Sequence, residues 1–208
     1  MIGYQIDSEL YLALPRSQDA TALVALIQTD AVYLSQWLNW PAGTTLATEQ
    51  QVIQQNRRDF GTDKSLVLAI WWRQQIVGMI SFNGFRADGK ISDVGYWLGQ
   101  GFQGQGIMHR ALMALVQIGF TDYQLEKIVI HAGVGNQPSN AVARNAGFKL
   151  DGVVRHDELL TSQGWIDLNS YSLLRQEWLA QQPNRGQSNT DQSSVDQPNA
   201  DQSDTDQL

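Results

Sequence analysis

A glycine-rich stretch in the middle of the chain carries residues suited to binding a phosphate. It reads GQGFQGQGIMHRAL from Gly99 to Leu112. Two overlapping patterns share these letters: G-x-G-x-x-G at Gly99, Gly101 and Gly104, and Q-x-x-G-I from Gln103. Glycine lets the backbone approach an anion closely, and successive N–H groups at a helix N-terminus attract that anion. Both patterns therefore predict a pyrophosphate site, but they imply different chemistry.

The first pattern is typical of dinucleotide-binding folds, which need an acidic residue about 20 residues further on to bind the ribose. The next predicted strand, KIVIHAGV, ends at His131, Ala132 and Gly133 without a carboxylate, which argues against a dinucleotide. A P-loop is excluded because no Gly-Lys-Ser/Thr follows the glycines. A third interpretation is that these glycines only form a tight turn.

Composition restricts the other kinds of site. The chain has no cysteine, so disulfides and thiolate catalysis are excluded. The three histidines, His109, His131 and His156, form no pair at helical spacing, and we expect no metal site. A net charge of −7 argues against a nucleic-acid partner, which needs a basic face. No apolar run approaches the ~18 residues that span a membrane, and no secretory signal is visible, so we expect a cytoplasmic protein.

Two regions of different composition divide the 208 residues. Residues 1–182 have the hydrophobic content of one domain with a sizeable core. Residues 183–208 are rich in Asp, Gln and Ser, lack aromatics, and repeat Asp-Gln every five residues from Asp191. We expect this tail to be disordered because it cannot bury enough apolar surface to offset its ordering entropy.

Hydrophobic periodicity predicts a mixed α/β domain. The segments SLVLAIWW and QQIVGMISF flank a short turn and predict an antiparallel hairpin near the front of the domain. A uniformly alternating, doubly wound sheet would not open with a hairpin. Further strands are predicted at LYLAL, ISDVGYWLG, KIVIHAGV and WIDLNSYSLL, and helices at SQDATALVALIQ, TEQQVIQQNRRDF, GIMHRALMALVQIGF and PSNAVARNAGF.

A second motif begins about thirty residues after the glycine loop. The stretch GNQPSNAVARNAGF places Asn136, Ser139, Gly147 and Phe148 in the pattern N-x-x-S-x7-G-F. Together with the strand VGYWLG, the loop and the helix IMHRALMAL, it resembles the acetyl-CoA site of the GNAT N-acetyltransferases. The phosphate loop of that family is Q/R-x-x-G-x-G/A, and Met108 departs from its usual small residue.

The resemblance extends from about Leu10 to Trp178. The segments VGYWLG, GQGIM, SNAVAR and DLNSYSLLRQEW are similar to the Rim-type branch, which acetylates the N-terminal amine of ribosomal proteins. The resemblance implies a central, mostly antiparallel twisted sheet flanked by helices, with acetyl-CoA in the splay between central strands. In the stretch YLSQWLNWP it also implies that Trp37 and Trp40 wall the acceptor site, unless they serve ordinary core packing.

The resemblance also implies a set of cofactor-binding residues. The amides of residues 105–109 would hold the pyrophosphate, and the pantetheine arm would pair with strand residues 95–98. Because Tyr96 and Trp97 alternate across that strand, we expect only one of them to face the cofactor. Asn140 would bind the arm or, alternatively, satisfy the start of its own helix. The full set is Tyr96, Trp97, Leu98, Gln103, Gly104, Gln105, Gly106, Ile107, Met108, His109, Asn136 and Asn140.

Catalytic roles follow from the same resemblance. Glu158 is the candidate general base, with Asp93 as the runner-up; the alternative for both, and more so for Asp93, is a solvated surface carboxylate. A backbone N–H near Leu98 would stabilise the oxyanion. Ser139 would protonate the departing thiolate, its rival role being a helix cap. The alternatives in function are a small-amine acetyltransferase, for a polyamine, amino sugar or antibiotic, and a non-catalytic CoA-binding module. The protein is expected to be a monomer or homodimer.

Overall fold

The computed structural model describes residues 3–182, so the predicted tail of 183–208 lies outside the described residues. One sheet of eight strands has the order β1-β2-β3-β4-β5-β6-β8-β7. The strands are β1 (Gly3–Gln5), β2 (Leu10–Ala13), β3 (Leu66–Trp72), β4 (Gln75–Arg86), β5 (Ile91–Leu98), β6 (Lys127–Gly133), β7 (Lys149–Leu160) and β8 (Gly164–Leu174). The α-helices are α1 (Ala20–Thr29), α2 (Ala31–Leu34), α3 (Leu46–Phe60), α4 (Ile107–Thr121), α5 (Gln137–Asn145) and α6 (Arg175–Gln181).

The predicted hairpin is confirmed between β3 and β4. Its two turn residues, Arg73 and Gln74, have φ values of 49° and 66°. Left-handed conformations at both positions suit a two-residue turn because their twist matches that of the flanking strands. The pairing continues from Trp72 opposite Gln75 to Leu66 opposite Phe82, with an irregularity beside Ile70.

The sheet is antiparallel except where β5 meets β6. These two strands pair in parallel only from Ile91 opposite Lys127 to Val94 opposite Ile130. Beyond Val94, β5 stays paired with β4 up to Leu98, while β6 stays paired with β8 up to Gly133. Each strand therefore keeps its outer partner while the two central strands separate, and the sheet opens into a splay, as the predicted fold requires.

Alternating residues of the strands bury two apolar layers. On one face of the sheet, Leu68 and Ile80 pack with α4, including the fully buried Leu115. On the other face, residues of β3 and β4 join α1 and α3 in a smaller cluster, which includes Ala69, Met79, Leu23, Ile27 and Ile53. Burying one large apolar side chain contributes about 1.5–3 kcal/mol to folding stability. The two layers therefore stabilise the strands of the splay from both faces of the sheet.

Four elements are absent from the sequence prediction: β1, α2, β7 and α6. The omission of β7 matters most for function. Most of its side chains are exposed on both faces, so it lacks the alternation that marks a half-buried strand. Within the predicted stretch 138–148, helix α5 ends at Asn145, and Gly147, with a φ of 83°, follows in the left-handed conformation common after a helix C-terminus.

Candidate active site

A cavity of about 960 Å³ occupies the splay between β5 and β6. Most of the predicted site residues line it: Trp37, Trp40, Asp93, Tyr96, Trp97, Leu98, Gln103, Gly104, Gly106, Ile107, Met108, His109, Asn136, Ser139 and Glu158. Gln105 and Asn140 do not. The cavity has two contrasting sides. We call residues 95–109 and the first turn of α5 the glycine-loop wall, and residues 35–40 with Asp93, Asp157 and Glu158 the tryptophan wall.

The glycine loop presents backbone donors to the cavity. Gly104 and Gly106 both have a φ of 71°, and a Cβ at either position would meet no atom within 4 Å. Helix α4 then begins at Ile107 with no side-chain cap. Among residues 3–182, the N–H groups of 104–109 have no hydrogen-bond acceptor. Free donors at a helix N-terminus form the kind of site that a pyrophosphate occupies.

Two side chains of this loop differ in what they offer. His109, in the first turn of α4, has a buried Nδ1 atom without a hydrogen-bond partner among the described residues. A buried polar atom of this kind usually has a partner, so a polar ligand fits beside it. The Gln105 side chain instead donates to the carbonyl oxygen of Gly101 at 3.2 Å, which leaves only its backbone available to a ligand.

The loop is fastened to the first helices by contacts that sequence patterns do not reveal. The backbone N–H of Gln100 donates to Asp30 Oδ2 at 2.8 Å, and the Gln103 side chain donates to the hydroxyl of Tyr33. The partners lie 70 residues apart in the sequence. The segment that carries the tryptophans therefore starts from the same helices that hold the glycine loop.

The edge of β5 beyond Val94 offers a second set of donors. Gly99 N–H donates to the Val77 carbonyl oxygen on the β4 side at 2.9 Å. Because successive amides of a strand point in opposite directions, the N–H groups of Leu98 and Tyr96 point towards the splay. No strand pairs with this edge in the described chain. An extended ligand can therefore lie along it as an additional strand would.

Tyr96 and Trp97 both line the cavity, although they alternate across β5. Tyr96 lies on the face that packs against α4, whereas Trp97 lies on the opposite face, where it meets Trp40 edge-on with ring centroids 5.9 Å apart. The splay removes the neighbouring strand, so side chains from both faces of β5 border the cavity.

Helix α5 places Asn136 and Ser139 on the glycine-loop wall. Asn136 is the N-cap, and its Oδ1 accepts the N–H of Ser139 at 3.2 Å. The Ser139 hydroxyl makes no capping bond; its oxygen lies 2.9 Å from the hydroxyl of Tyr96. The rival interpretation of Ser139 as the cap is therefore wrong, because Asn136 already fills that role.

Asn140 satisfies polar groups around the start of its own helix, which is the alternative role predicted for it. Its amide group donates to the carbonyl oxygens of Gly133 and Asn136, at 2.9 and 2.7 Å. Its Oδ1 accepts from Asn169 and Tyr171, at 2.6 and 2.8 Å. A carboxamide has two donors and two acceptor lone pairs, so the buried Asn140 has none left for a cofactor arm.

The tryptophan wall carries acidic groups. A bulge in β7 between Val154 and Glu158 has His156 at a φ of 49°, with its N–H donating to Asp167 Oδ1 at 2.9 Å. Asp157 lies in this bulge, the exposed Glu158 follows it, and both side chains line the cavity. Bulges often redirect side chains next to active sites.

Asp93 is the third carboxylate of the cavity. Its Oδ2 accepts the side-chain N–H of Asn83 at 2.9 Å, and Asn83 Oδ1 in turn accepts the hydroxyl of Ser81 at 2.7 Å. This chain of hydrogen bonds fixes the orientation of Asp93. Among the residues of 3–182 that line the cavity there is no lysine or arginine, so the tryptophan wall attracts cations.

The segment with the tryptophans is latched to the turn between β7 and β8. Asn39 donates to the carbonyl oxygen of Leu159 and accepts the N–H of Thr161, both at 2.8 Å. The Thr161 hydroxyl adds a 3.1 Å bond to the same Asn39 oxygen, and Ser162 donates to the Ser35 carbonyl at 2.8 Å. Asn39 thus joins Trp40 to the strand that carries Glu158, a role for which the sequence has no motif.

Trp37 packs deeper, against β6 and the chain that leaves it. A Cβ at Gly133 would lie 2.9 Å from the Trp37 ring, and one at Gly135 would lie 3.3 Å from it. The indole therefore occupies space that two glycines leave free. Trp40 is more open, with 42% of its surface exposed.

The described residues contain neither a membrane-spanning helix nor a metal-binding cluster. Among residues 3–182, no helix is both long and apolar enough to cross a membrane. Within the same range, no three His, Cys, Asp or Glu side chains are grouped so that they could hold a metal ion.

Comparison with known proteins identifies the family. The family model for the acetyltransferase (GNAT) domain matches residues 9–149. A ribosomal-protein-serine acetyltransferase of Escherichia coli (strain K12) is 33% identical over 155 residues, which cover 72% of this chain and 84% of the relative.

Solved structures with the same fold agree with this. RimL, a ribosomal L7/L12 alpha-N-protein acetyltransferase solved in complex with coenzyme A, has a TM-score of 0.79 and 30% identity over 83% of this chain and 98% of its own. MccE, a microcin C7 self immunity acetyltransferase solved in complex with acetyl-CoA and AMP, has a TM-score of 0.77 and 33% identity over 81% and 94%. The free donors of the glycine-loop wall suit the coenzyme A moiety that both structures contain. The chain therefore belongs to the GNAT family and is an acetyl-CoA-dependent N-acetyltransferase.

Proposed function

We propose that the protein acetylates the N-terminal α-amine of another protein, such as a ribosomal protein. The observation that carries this proposal is the acidic tryptophan wall, in which Asp93, Asp157 and Glu158 line the cavity without a lysine or arginine among the described lining residues. Such a wall attracts the ammonium group of a chain terminus. The Escherichia coli relative and RimL support the choice, since both are named for acetylating ribosomal proteins. A ribosomal acceptor would place the protein in the cytoplasm.

The acceptor must lose a proton before its nitrogen can attack. A free α-amine has a pKa of about 7.7–8.0, whereas that of a lysine side chain is near 10.4. At neutral pH the α-amine is therefore uncharged over a hundred times more often. A carboxylate of ordinary basicity suffices to remove its proton, which fits a site whose candidate base is a glutamate.

Glu158 is the base in this proposal. It follows the bulge of β7 and borders the cavity beside the turn that Asn39 latches to the tryptophan segment. Its exposure gives the abstracted proton a route to solvent. Asp93 is the alternative, although its bond from Asn83 occupies one of its two oxygens. When Glu158 is the base, Asp93 attracts and orients the ammonium rather than removing its proton.

The glycine-loop wall acts on the acetyl donor. When bound, acetyl-CoA supplies the acetyl group as a thioester. The N–H of Leu98, directed towards the splay, donates to the carbonyl oxygen as negative charge develops there. The Ser139 hydroxyl donates a hydrogen bond to the sulfur as it leaves. The amides of residues 104–109 hold the pyrophosphate and fix the position of the donor.

A small cationic amine is the second candidate acceptor, because the same acidic wall attracts it and the similarity to MccE favours it. That protein is named for self immunity to microcin C7, and its structure contains AMP together with acetyl-CoA. In this chain the partly exposed Trp40 and its neighbour Trp97 offer aromatic faces at the cavity, on which a planar group of a small acceptor can stack.

An acetylation assay separates the two candidates. The protein is incubated with acetyl-CoA and a panel of peptides with free N-termini, the same peptides with blocked N-termini, free lysine, polyamines and amine-bearing nucleotides, and products are read by mass spectrometry. Acetylation of the free N-terminus alone is the expected result. Turnover of the polyamines or nucleotides with little turnover of any peptide would favour the small-amine acceptor instead.

A further inference from the structure

Tyr96 and Ser139 make a contact that the mechanism above leaves without a role. The Tyr96 hydroxyl oxygen lies 2.9 Å from Ser139 Oγ and 3.2 Å from the Ser139 carbonyl oxygen. Tyr96 lies on the open edge of β5, and Ser139 lies in the first turn of α5. Both side chains line the cavity. The contact therefore ties the serine hydroxyl to the strand along which the acetyl donor is proposed to lie.

The direction of this hydrogen bond follows from the available partners. The Tyr96 phenol has a single hydrogen, which goes either to the carbonyl oxygen or to Oγ of Ser139. The carbonyl oxygen belongs to helix α5, where the N–H four residues later is its regular partner. Oγ is nearer and has no other partner among the described residues. The shorter contact favours donation of the phenol hydrogen to Oγ, with the carbonyl oxygen at 3.2 Å as the competing acceptor.

The phenol also keeps that hydrogen under working conditions. Burial raises the pKa of Tyr96 to about 12, with a smaller contribution from Tyr171, against the opposing effect of the Ser139 hydrogen bond. The group is therefore a protonated donor throughout the neutral range.

We propose that Tyr96 is a positioning residue that donates to Ser139 Oγ and thereby directs the serine hydrogen towards the leaving sulfur. A hydroxyl has one donor and two acceptor sites, so a bond into Oγ leaves its own hydrogen free. Without Tyr96, the hydroxyl can rotate and donate to a backbone carbonyl three or four residues earlier, as serines in helices commonly do.

The inference rests on the proposed function, in which Ser139 assists departure of the sulfur. In the overall reaction an N–C bond forms, the C–S bond breaks, and the proton lost by the amine is balanced by the proton gained by the thiolate. Tyr96 neither gains nor loses a proton in this cycle. Its removal should therefore lower kcat and leave the acetyl-CoA affinity nearly unchanged.

A double-mutant cycle with Tyr96→Phe and Ser139→Ala tests the proposal, using whichever amine the acetylation panel identifies. Phenylalanine keeps the buried ring and removes only the hydroxyl. Tyr96→Phe is expected to lower kcat about tenfold, with the KM for acetyl-CoA within about twofold of the original, a size typical of losing one hydrogen bond. The double variant should be no slower than Ser139→Ala, because both changes remove the same effect.

Tyr171→Phe is the matched control, since its hydroxyl bonds Asn140 and not Ser139. It removes a buried phenol hydroxyl from the same region. It should lower the melting temperature and change kcat far less than Tyr96→Phe does. Melting curves and calorimetry with CoA report whether each variant folds and binds. A Tyr96→Phe effect of equal size with and without the Ser139 hydroxyl would overturn the inference, as would unchanged kcat in Tyr96→Phe. Unchanged kcat in Ser139→Ala would overturn the proposed role of Ser139 itself, and this inference with it.

Discussion

The two walls of the cavity are assembled in different ways. The glycine-loop wall consists of one run of backbone, residues 95–109, with a single helix turn added from α5. The tryptophan wall joins segments about 120 residues apart in the sequence, and side-chain hydrogen bonds of Asn39 hold them together. A binding site made of backbone donors thus depends on local conformation, whereas the proposed acceptor side depends on long-range contacts between loops.

This difference predicts that substitutions in one wall change the binding of one substrate and leave the other substrate unaffected. Changes to the glycine loop should affect the acetyl donor, and changes around Asn39 and Glu158 should affect the acceptor. The helices α1 and α2 connect the walls, through the contacts of Asp30 and Tyr33 with the glycine loop. Kinetic measurements on substituted proteins can therefore test whether each wall affects only one substrate.

The largest effect should come from Glu158→Gln, which removes the proposed base and keeps the shape of the side chain. We expect kcat to fall roughly 100-fold, the usual contribution of a general base, with unchanged affinity for acetyl-CoA. Steady-state kinetics over a range of pH measure this. Asp157→Asn is the control, because it neutralises the neighbouring carboxylate of the same wall and should cost far less. Full activity of Glu158→Gln at every pH would mean that Asp93 or water, and not Glu158, removes the proton of the acceptor amine.

The next effect should come from Gly106→Val, which disturbs only the glycine-loop wall. A branched side chain is strained at a φ of 71° and would shift the amides that we propose hold the pyrophosphate. We expect the Kd for acetyl-CoA, measured by calorimetry, to rise at least tenfold, a change of about 1.4 kcal/mol. Gly101→Val is the control, since a Cβ there also meets nothing within 4 Å but φ is not in the left-handed region. Equal Kd values for the two variants would contradict the proposal that the glycine loop binds the pyrophosphate.

A smaller effect is expected from Asn39→Ala, which unlatches the tryptophan segment from the turn after β7. Loss of these exposed hydrogen bonds should cost about 1 kcal/mol of folding stability and raise the KM for the acceptor several-fold. The Kd for acetyl-CoA should stay the same. Ser162→Ala removes only the neighbouring bond to Ser35 and should show a weaker effect in both measurements. A change in acetyl-CoA affinity instead of acceptor KM would mean that the walls are not separable.

Truncation after Gln182 should have the smallest effect of all. Residues 183–208 contain an Asp-Gln repeat and no aromatic side chain, so they have little apolar surface with which to pack on either wall. We expect the melting temperature and the Kd for acetyl-CoA to match those of the full chain. A lower melting temperature in the truncated protein would show that the tail contributes contacts to the domain.

The sequence predicted the glycine-loop wall in more detail than the tryptophan wall. The left-handed Gly104 and Gly106 and the helix start at Ile107 are properties of consecutive residues, so a short motif reports them directly. Strand β7 was missed because its side chains are exposed on both faces. The prediction for Asn140 left two roles open, since a motif records an asparagine but not the Asn169 and Tyr171 side chains that meet it.

By itself, the sequence determined the hairpin, the strands and helix around the glycine loop, and the family, because periodicity and turn chemistry are encoded over a few residues. Only the tertiary structure decided that β5 and β6 separate after Val94 and Ile130, and that both Tyr96 and Trp97 therefore reach the cavity. It also decided that Asn39 meets the turn after β7 and that Tyr96 meets Ser139. These contacts depend on where packed layers bring distant segments together, and no local pattern of residues specifies that distance.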